Sequence, residues 1–435
     1  MRYYSTSGQA PIATLEKAVV KGLAEDKGLY MPDHLNPLPQ EFYDNIENMT
    51  FHEIACAVAG AFFGEDIPQE DINRIVCDTL AFDVPAVKVT DDIYSLELFH
   101  GPTLAFKDVG ARFMARLLQY FLKKNNNGDE VNVLVATSGD TGSAVANGFL
   151  GVDGIHVYVL YPKGKVSPIQ ECQFTTLGKN ITAIEVDGVF DDCQALVKNA
   201  FMDEELNAAM KLTSANSINV ARFLPQSFYY FYAYAQMKKL GKADNMVVCV
   251  PSGNFGNICS ALFGKKMGLP IKRFIAANNA NDIFFKYLQT GEYEPKASVQ
   301  TIANAMDVGA PSNFARIYDL YGKSHEAICA DISGATYSDE QIAETMKACF
   351  KETGYVCDPH GACGYQALKE GLKDGETGVF LETAHPAKFK SVVDGILESD
   401  IEIPAKLQAF MQGTKQSIEM PNGFGQFKAY LLGQK

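Results

Sequence analysis

No two of the ten cysteines in this 435-residue chain stand at CxxC spacing, so the sequence offers neither a zinc ribbon nor a disulfide scaffold. Reduced thiols in a cytoplasmic protein are the reading that fits, and no metal is expected. Positive charge is scarce too. Lys plus Arg number 38 against 52 Asp plus Glu, a net charge of −14, which repels a phosphate backbone and argues against nucleic acid as a partner. The longest basic runs, Lys123-Lys124, Lys238-Lys239 and Lys265-Lys266, close helical patterns, where cations complement the dipole. The N-terminal MRYYSTSGQAPIATLEKAV lacks the apolar core of a signal peptide, and no later run of about 18 apolar residues follows, so neither export nor a membrane span is expected. Internal repeats are absent, as are Walker-type and GxGxxG nucleotide loops.

What is present is the make-up of an ordinary globular protein, 47% hydrophobic and 21% charged. At roughly 150 residues per domain, its length allows two or three domains. From Val131 onward short β-branched runs alternate with longer amphipathic ones: VNVLVA (131–136), IHVYVL (155–160), ITAIEV (181–186), MVVCV (246–250), IKRFIAA (271–277) and TGVFLET (377–383). Their near-continuous apolar character predicts strands covered on both faces, hence an α/β fold of right-handed βαβ units. DDCQALVKNAFMDEELNAAM after 190 and FLPQSFYYFYAYAQMKKLG before 242 read as helices, the second closed by Gly241. Upstream, ATLEKAVVKGLA and FHEIACAVAGAFFG read as amphipathic helices around the Pro-rich loop GLYMPDHLNPLPQ. The expected division is a mainly helical segment over 1–95 and α/β domains over 96–240 and 241–435. Asn125 to Asn127, with Gly128, reads as a turn.

Five segments carry chemistry. HGPTLAFKDVGARFM sets Lys107 where a Gly-Pro loop gives way to a helix; partial desolvation there lowers an ammonium pKa and frees a nucleophilic amine. The bland alternative is a surface lysine in a first helical turn. ATSGDTGSAVANGF follows a strand and opens a helix, so the hydroxyls of Thr137, Ser138 and Thr141 and the free N–H groups can bind a carboxylate or phosphate; a well-capped turn is the alternative. PSGNFGN does the same after MVVCV, with two glycines that let backbone approach an anion. In SANSINVARF, Arg222 can clamp a dianion with help from Asn216 and Ser217; the exposed arginine of a capped helix start is the alternative. LETAHPAKF ends the last apolar run, placing Thr383 at the carboxyl end where open α/β sheets bind ligands. His385 and His360 are read as structural.

Taken together, and in this order, these segments resemble the threonine synthase family. HGPTLAFKD resembles its cofactor-lysine motif, ATSGDTG its cofactor and substrate loop, SANSIN its substrate segment, GNFGN its cofactor-phosphate loop and TAHPAKF its pyridine-contacting turn. YYSTSG with EKAVVKGLAEDKGLYMP, YPKGKVSP and AMDVGAPSNF extend the resemblance over nearly the whole chain. It implies a type II pyridoxal-phosphate fold, with the cofactor between two α/β domains, and conversion of O-phosphohomoserine and water to threonine and phosphate. It further implies that Lys107 carries pyridoxal 5'-phosphate and that Gly253, Asn254, Phe255, Gly256 and Asn257 wrap its phosphate. Thr383 would meet the pyridine nitrogen, with Asp140 near the ring hydroxyl. Ser138 and Thr141 would hold the substrate carboxylate; Asn216, Ser217 and Arg222 its phosphate, helped by Lys163 or Lys165. Ser7 stands where many relatives carry Arg, and a homo-oligomer is compatible with the family.

Such chemistry removes protons from two carbons while a cofactor stores electrons, and Lys107 is the only base within reach. A related phospho-lyase or dehydratase, or an inactive cofactor-binding relative, is the alternative reading. A dehydratase has no use for Arg222.

Overall fold

In a computed structural model, residues 1–125, 128 and 130–434 are described. The turn expected at Asn125 to Gly128 falls partly on Asn126 and Asn127, outside the described residues. Thirteen strands occur among the described residues: β1 (Tyr3–Ser5), β2 (Tyr30–Pro32), β3 (Ala86–Lys88), β4 (Ile93–Glu97), β5 (Val131–Ala136), β6 (Ile155–Pro162), β7 (Ile181–Asp187), β8 (Lys211–Ser214), β9 (Met246–Pro251), β10 (Arg273–Asn278), β11 (Ile332–Thr336), β12 (Thr377–Glu382) and β13 (Ser417–Pro421). The six apolar runs all form strands. β5, β9 and β12 are buried at every residue, as strands sandwiched between helices must be.

Two sheets organise the molecule, in the orders β11-β10-β9-β12-β4-β3 and β13-β7-β6-β5-β8, beside a small β1-β2 pair. All pairings in the two large sheets are parallel except β3 with β4. Parallel pairing gathers the carboxyl ends. In the first sheet, the neighbours β9, β12 and β4 lead respectively into the GNFGN loop, the TAHPAKF turn and the loop before Lys107. In the second, β5 and its neighbour β8 lead into ATSGD and SANSIN.

The sheets do not follow the sequential division at 95 and 240. β4 straddles the first boundary and pairs with β12 from Gly378↔Ile93 to Glu382↔Glu97, while β13, near the C-terminus, pairs with β7 in the other sheet. The segment 1–95 is thus helical only in part, contributing β1, β2, β3 and the first three residues of β4. Two expected helices are interrupted. Asp203 accepts a hydrogen bond from the Leu206 N–H at 2.9 Å and so caps a new helix, Glu204–Ala209, after Phe190–Met202. Pro225, which has no N–H to donate, stands in a 3-10 turn that separates Val220–Phe223 from Ser227–Lys239. Among the described residues no helix is long and apolar enough to cross a membrane.

Candidate active site

Lys107 opens the helix Lys107–Asn125, and the loop before it is fixed from two directions. Asp108 accepts from the Thr103 N–H (2.9 Å) and hydroxyl (2.6 Å), folding the loop over its own helix start. Gly101 lies so close to this carboxylate that a Cβ would stand 2.5 Å from Asp108 Oδ2. On the other side, Phe106 N–H donates to Thr383 O (2.8 Å) and His385 N–H to Leu104 O (3.0 Å), an antiparallel strap between the lysine motif and the turn after β12. Leu104 takes a positive φ of 59° to make that crossing. Lys107 is only partly buried, and its Nζ has no hydrogen-bond partner among the described residues. Burial lowers its amine, Asp140 raises it, and Arg222 and Lys388 lower it again, for a value of about 8.

Asp140, whose charge the sequence left open, is an ionised carboxylate. Burial pushes it up, but the Lys388 and Lys107 cations and hydrogen bonds from Lys388 and Gln170 outweigh that and hold it at about 2. Lys388 Nζ lies 2.6 Å from Asp140 Oδ1, and Gln170 Nε2 donates to the same oxygen at 3.1 Å. Lys388 is the residue the motif reading passed over, although it stands inside TAHPAKF. Its signal was a lysine at the end of a buried strand's turn.

The ATSGD loop turns through Gly139, at φ 151°, into the helix Asp140–Phe149. A Cβ on Gly139 would meet the Gln170 amide at 2.6 Å. The Thr137 hydroxyl, expected as a ligand group, is instead committed to the turn, accepting from Gly139 N–H (2.9 Å) and Gly142 N–H (2.8 Å). Ser138 is exposed and Thr141 half-buried, and among the described residues neither hydroxyl has a partner. Nor do the N–H groups of Ser138, Asp140 and Thr141, so an anion can be met there.

After β9, Phe255 adopts a left-handed conformation (φ 64°) immediately before the helix Gly256–Lys266. Among the described residues, the N–H groups of Gly253 to Asn257 meet no acceptor. A Cβ on Gly253 would stand 2.6 Å from Ala305 O, so only glycine lets the loop lie this close to its neighbour. Asn254 ties the loop outward: its Nδ2 donates to Ser217 Oγ (2.8 Å) and its Oδ1 accepts from Ser312 N–H (2.7 Å). The Asn257 side chain does not reach outward. Its Oδ1 accepts from the Tyr229 and Tyr230 hydroxyls at 2.5 and 2.6 Å, which leaves its backbone N–H and its buried, unpartnered Nδ2 as donors.

Arg222 is almost wholly buried, donates from Nη1 to Ala215 O, and keeps an unpartnered Nε. Burial lowers its pKa to about 10, so the group is a desolvated cation with donor capacity to spare. Asn216 and Ser217 lie nearby in the chain and are half-buried. Arg316, which sequence reasoning missed, lies beneath: it donates to Tyr30 O, Ile218 O (2.5 Å) and Asn313 Oδ1 (2.8 Å), with its guanidinium over the Phe223 ring. It thus holds the SANSIN segment against the N-terminal stretch. Lys163 is not drawn in; it pairs with Glu419 at 3.0 Å on the surface, and Lys165 is exposed.

The two histidines are structural. His360 donates from Nδ1 to Asp358 Oδ2 (2.5 Å), and its Nε2 accepts from Ala305 N–H (3.0 Å). His385 Nδ1 accepts from Ala387 N–H (3.0 Å), and burial pulls its pKa down to about 4. Beside them Glu382, the residue before Thr383, accepts from Asp358 N–H at 2.7 Å. Burial and the nearby Asp358 push its pKa well above the carboxylate range.

An amine without a partner, a row of open N–H groups after β9 and an orphaned arginine Nε match the aldehyde, phosphate and substrate anion that pyridoxal-phosphate chemistry presents. Comparison with known proteins agrees. Residues 82–383 match the model of the pyridoxal-phosphate dependent enzyme family, 2–80 that of the threonine synthase N terminus and 361–431 that of the threonine synthase C-terminal region. Threonine synthase of Haemophilus influenzae is 46% identical, the match covering 99% of this chain and 100% of the relative. The solved threonine synthase of Escherichia coli is 42% identical at a TM-score of 0.92, with all of both chains covered. The pyridoxal-phosphate-bound threonine synthase of Brucella melitensis is 35% identical at 0.93, covering 100% of this chain and 99% of its own.

Proposed function

The chain belongs to the threonine synthase family of pyridoxal-phosphate enzymes, and from that premise we propose how its residues divide the work. The enzyme is a carbon–oxygen lyase acting on phosphate that converts O-phosphohomoserine and water to L-threonine and phosphate. Pyridoxal 5'-phosphate, when bound, supplies the electron sink that makes protons on the substrate's α- and β-carbons removable.

Lys107 Nζ holds the cofactor and, once released from it, moves protons at Cα and Cβ. Its lowered pKa keeps a useful fraction of the amine neutral near pH 7. The N–H groups of Gly253, Asn254, Phe255, Gly256 and Asn257 bind the cofactor phosphate. Thr383 Oγ1, which has no partner among the described residues, would hold the pyridine nitrogen of the cofactor, and Asp140 would serve its ring hydroxyl. Ser138 and Thr141 orient the substrate carboxylate. Arg222, with Asn216 and Ser217, binds the leaving phosphate, whose charge a desolvated guanidinium stabilises most strongly. Retained there, phosphate keeps bulk water out and leaves room for one water at Cβ. The cysteines, all free thiols, support a cytoplasmic location.

The observation that carries this reading is the unpartnered Lys107 amine facing both Asp140 and Arg222. Turnover of O-phosphohomoserine in oxygen-18 water tests it. Threonine labelled on its β-hydroxyl, with unlabelled phosphate, is the expected result. Excess 2-oxobutyrate would show a lyase that does not add water at Cβ, and labelled phosphate would show simple phosphatase chemistry.

A further inference from the structure

Lys388 is sealed from solvent, yet it touches three of the motifs that line the site. Standing in TAHPAKF, it reaches Asp140 Oδ1 of the ATSGD loop at 2.6 Å and donates to the Thr103 carbonyl of the lysine motif at 2.7 Å. Gln173 Nε2 donates to the same Thr103 oxygen (3.1 Å), and Thr103 in turn holds Asp108, the neighbour of Lys107. Burying an ammonium is costly, and a neutral side chain could tie loops together without that cost. The cation is explained by its partner. Asp140 is the carboxylate that faces Lys107.

We propose that Lys388 is a positioning residue for the reaction: by taking Asp140 as its own ion-pair partner, it keeps that carboxylate from pairing with Lys107 and leaves the Lys107 amine free. The proposal rests on Lys107 being the cofactor lysine. The charged groups facing Lys107 are Asp140 at the start of Asp140–Phe149, Arg222 on Val220–Phe223 and Lys388 after β12; Asp108, beyond them, faces Arg222 and Lys388. With Lys388 removed, the cation left beside Asp140 is Lys107 itself. The pair would hold the nitrogen protonated, where it can neither attack nor accept a proton.

The test titrates the visible absorbance of the bound cofactor against pH in the holoenzyme. In Lys388→Met the midpoint should rise by about 1 pH unit or more, as expected when a carboxylate within a few ångströms loses its other partner. Lys388→Arg should keep the midpoint, and Lys388→Met with Asp140→Asn should bring it back toward that of the unmodified protein. In the double variant kcat should recover in part while KM stays near its starting value. Should Lys388→Met fail to fold, Asp140→Asn alone carries the test, because removing the carboxylate that faces Lys107 must lower the midpoint. An unmoved midpoint in both Lys388→Met and Asp140→Asn, with only thermal stability changed, would overturn the proposal. Lys107→Ala, run in parallel, tells the two readings apart: a pH-dependent cofactor band that survives it unchanged would overturn the lysine assignment on which the proposal rests, whereas a band lost in Lys107→Ala but unmoved in the Lys388 and Asp140 variants would overturn the ion-pair role alone.

Discussion

Asn254 Nδ2 donates a hydrogen bond to Ser217 Oγ across 2.8 Å, joining the loop after β9 to the segment after β8 although these strands belong to different sheets. The GNFGN loop, proposed to hold the cofactor phosphate, and the SANSIN segment, proposed to hold the substrate, are therefore coupled directly. Asn254→Ala and Ser217→Ala should each weaken both cofactor retention and the KM for O-phosphohomoserine. Their double-mutant cycle should show a coupling of about 0.5–1.5 kcal/mol, that of one neutral hydrogen bond. Strictly additive losses would mean that the two segments act independently.

Arg222→Lys should lower kcat/KM for O-phosphohomoserine by about 1.5–3 kcal/mol, because an ammonium cannot reproduce a forked guanidinium contact with a dianion. The cofactor spectrum should stay unchanged. Added inorganic phosphate should raise the thermal midpoint of the unmodified enzyme more than that of Arg222→Lys. Equal kinetics in the two proteins would move the phosphate site elsewhere.

His385 is held neutral, at about 4 against an ordinary value near 6.5, because burial opposes its charge. A depressed folded-state pKa contributes stability that is fully present above about pH 6.5 and is lost as pH falls through about 4, since the unfolded chain binds the proton first. His385→Asn can keep an acceptor for the Ala387 N–H while removing the titration. Thermal midpoints measured over this range should therefore fall less steeply with acid in the variant. An unchanged slope would assign the acid sensitivity to other groups.

Glu382 is wholly buried beside Asp358, and burial with that neighbour pushes its carboxyl well above the carboxylate range, favouring the protonated form. Glu382→Gln, a neutral isostere able to accept from the Asp358 N–H, should alter stability by less than about 1 kcal/mol in denaturant unfolding. A much larger loss would mean that the native side chain is ionised.

Much of this was legible from the chain because buried parallel strands write themselves as continuous apolar runs, and all six such runs became strands. Edge and short strands do not. β13, at the edge of its sheet, reads SIEMP with one buried residue; β4, an inner strand between β12 and β3, is short and follows two aspartates, so the crossing of both between halves of the sequence left no local mark. The site divided in the same way. Lys107, Asp140, Arg222 and the GNFGN loop announce themselves through neighbours in sequence, whereas the pairing of Asp140 with Lys388 exists only after two sheets come together. Burial is equally silent: nothing in SNFARIYDL says that Arg316 is enclosed and bound to carbonyls of distant segments. Thr137 and Ser138 are adjacent hydroxyl residues, and only the turn geometry decides that the first caps the loop while the second faces outward.

The most direct measurement on the central claim is borohydride reduction of the cofactor-loaded enzyme, followed by peptide mass mapping. The account predicts a single reduced pyridoxyl adduct, on Lys107 within TLAFKD, and none in Lys107→Ala. An adduct on Lys388 or any other lysine, or one that persists in Lys107→Ala, would contradict it.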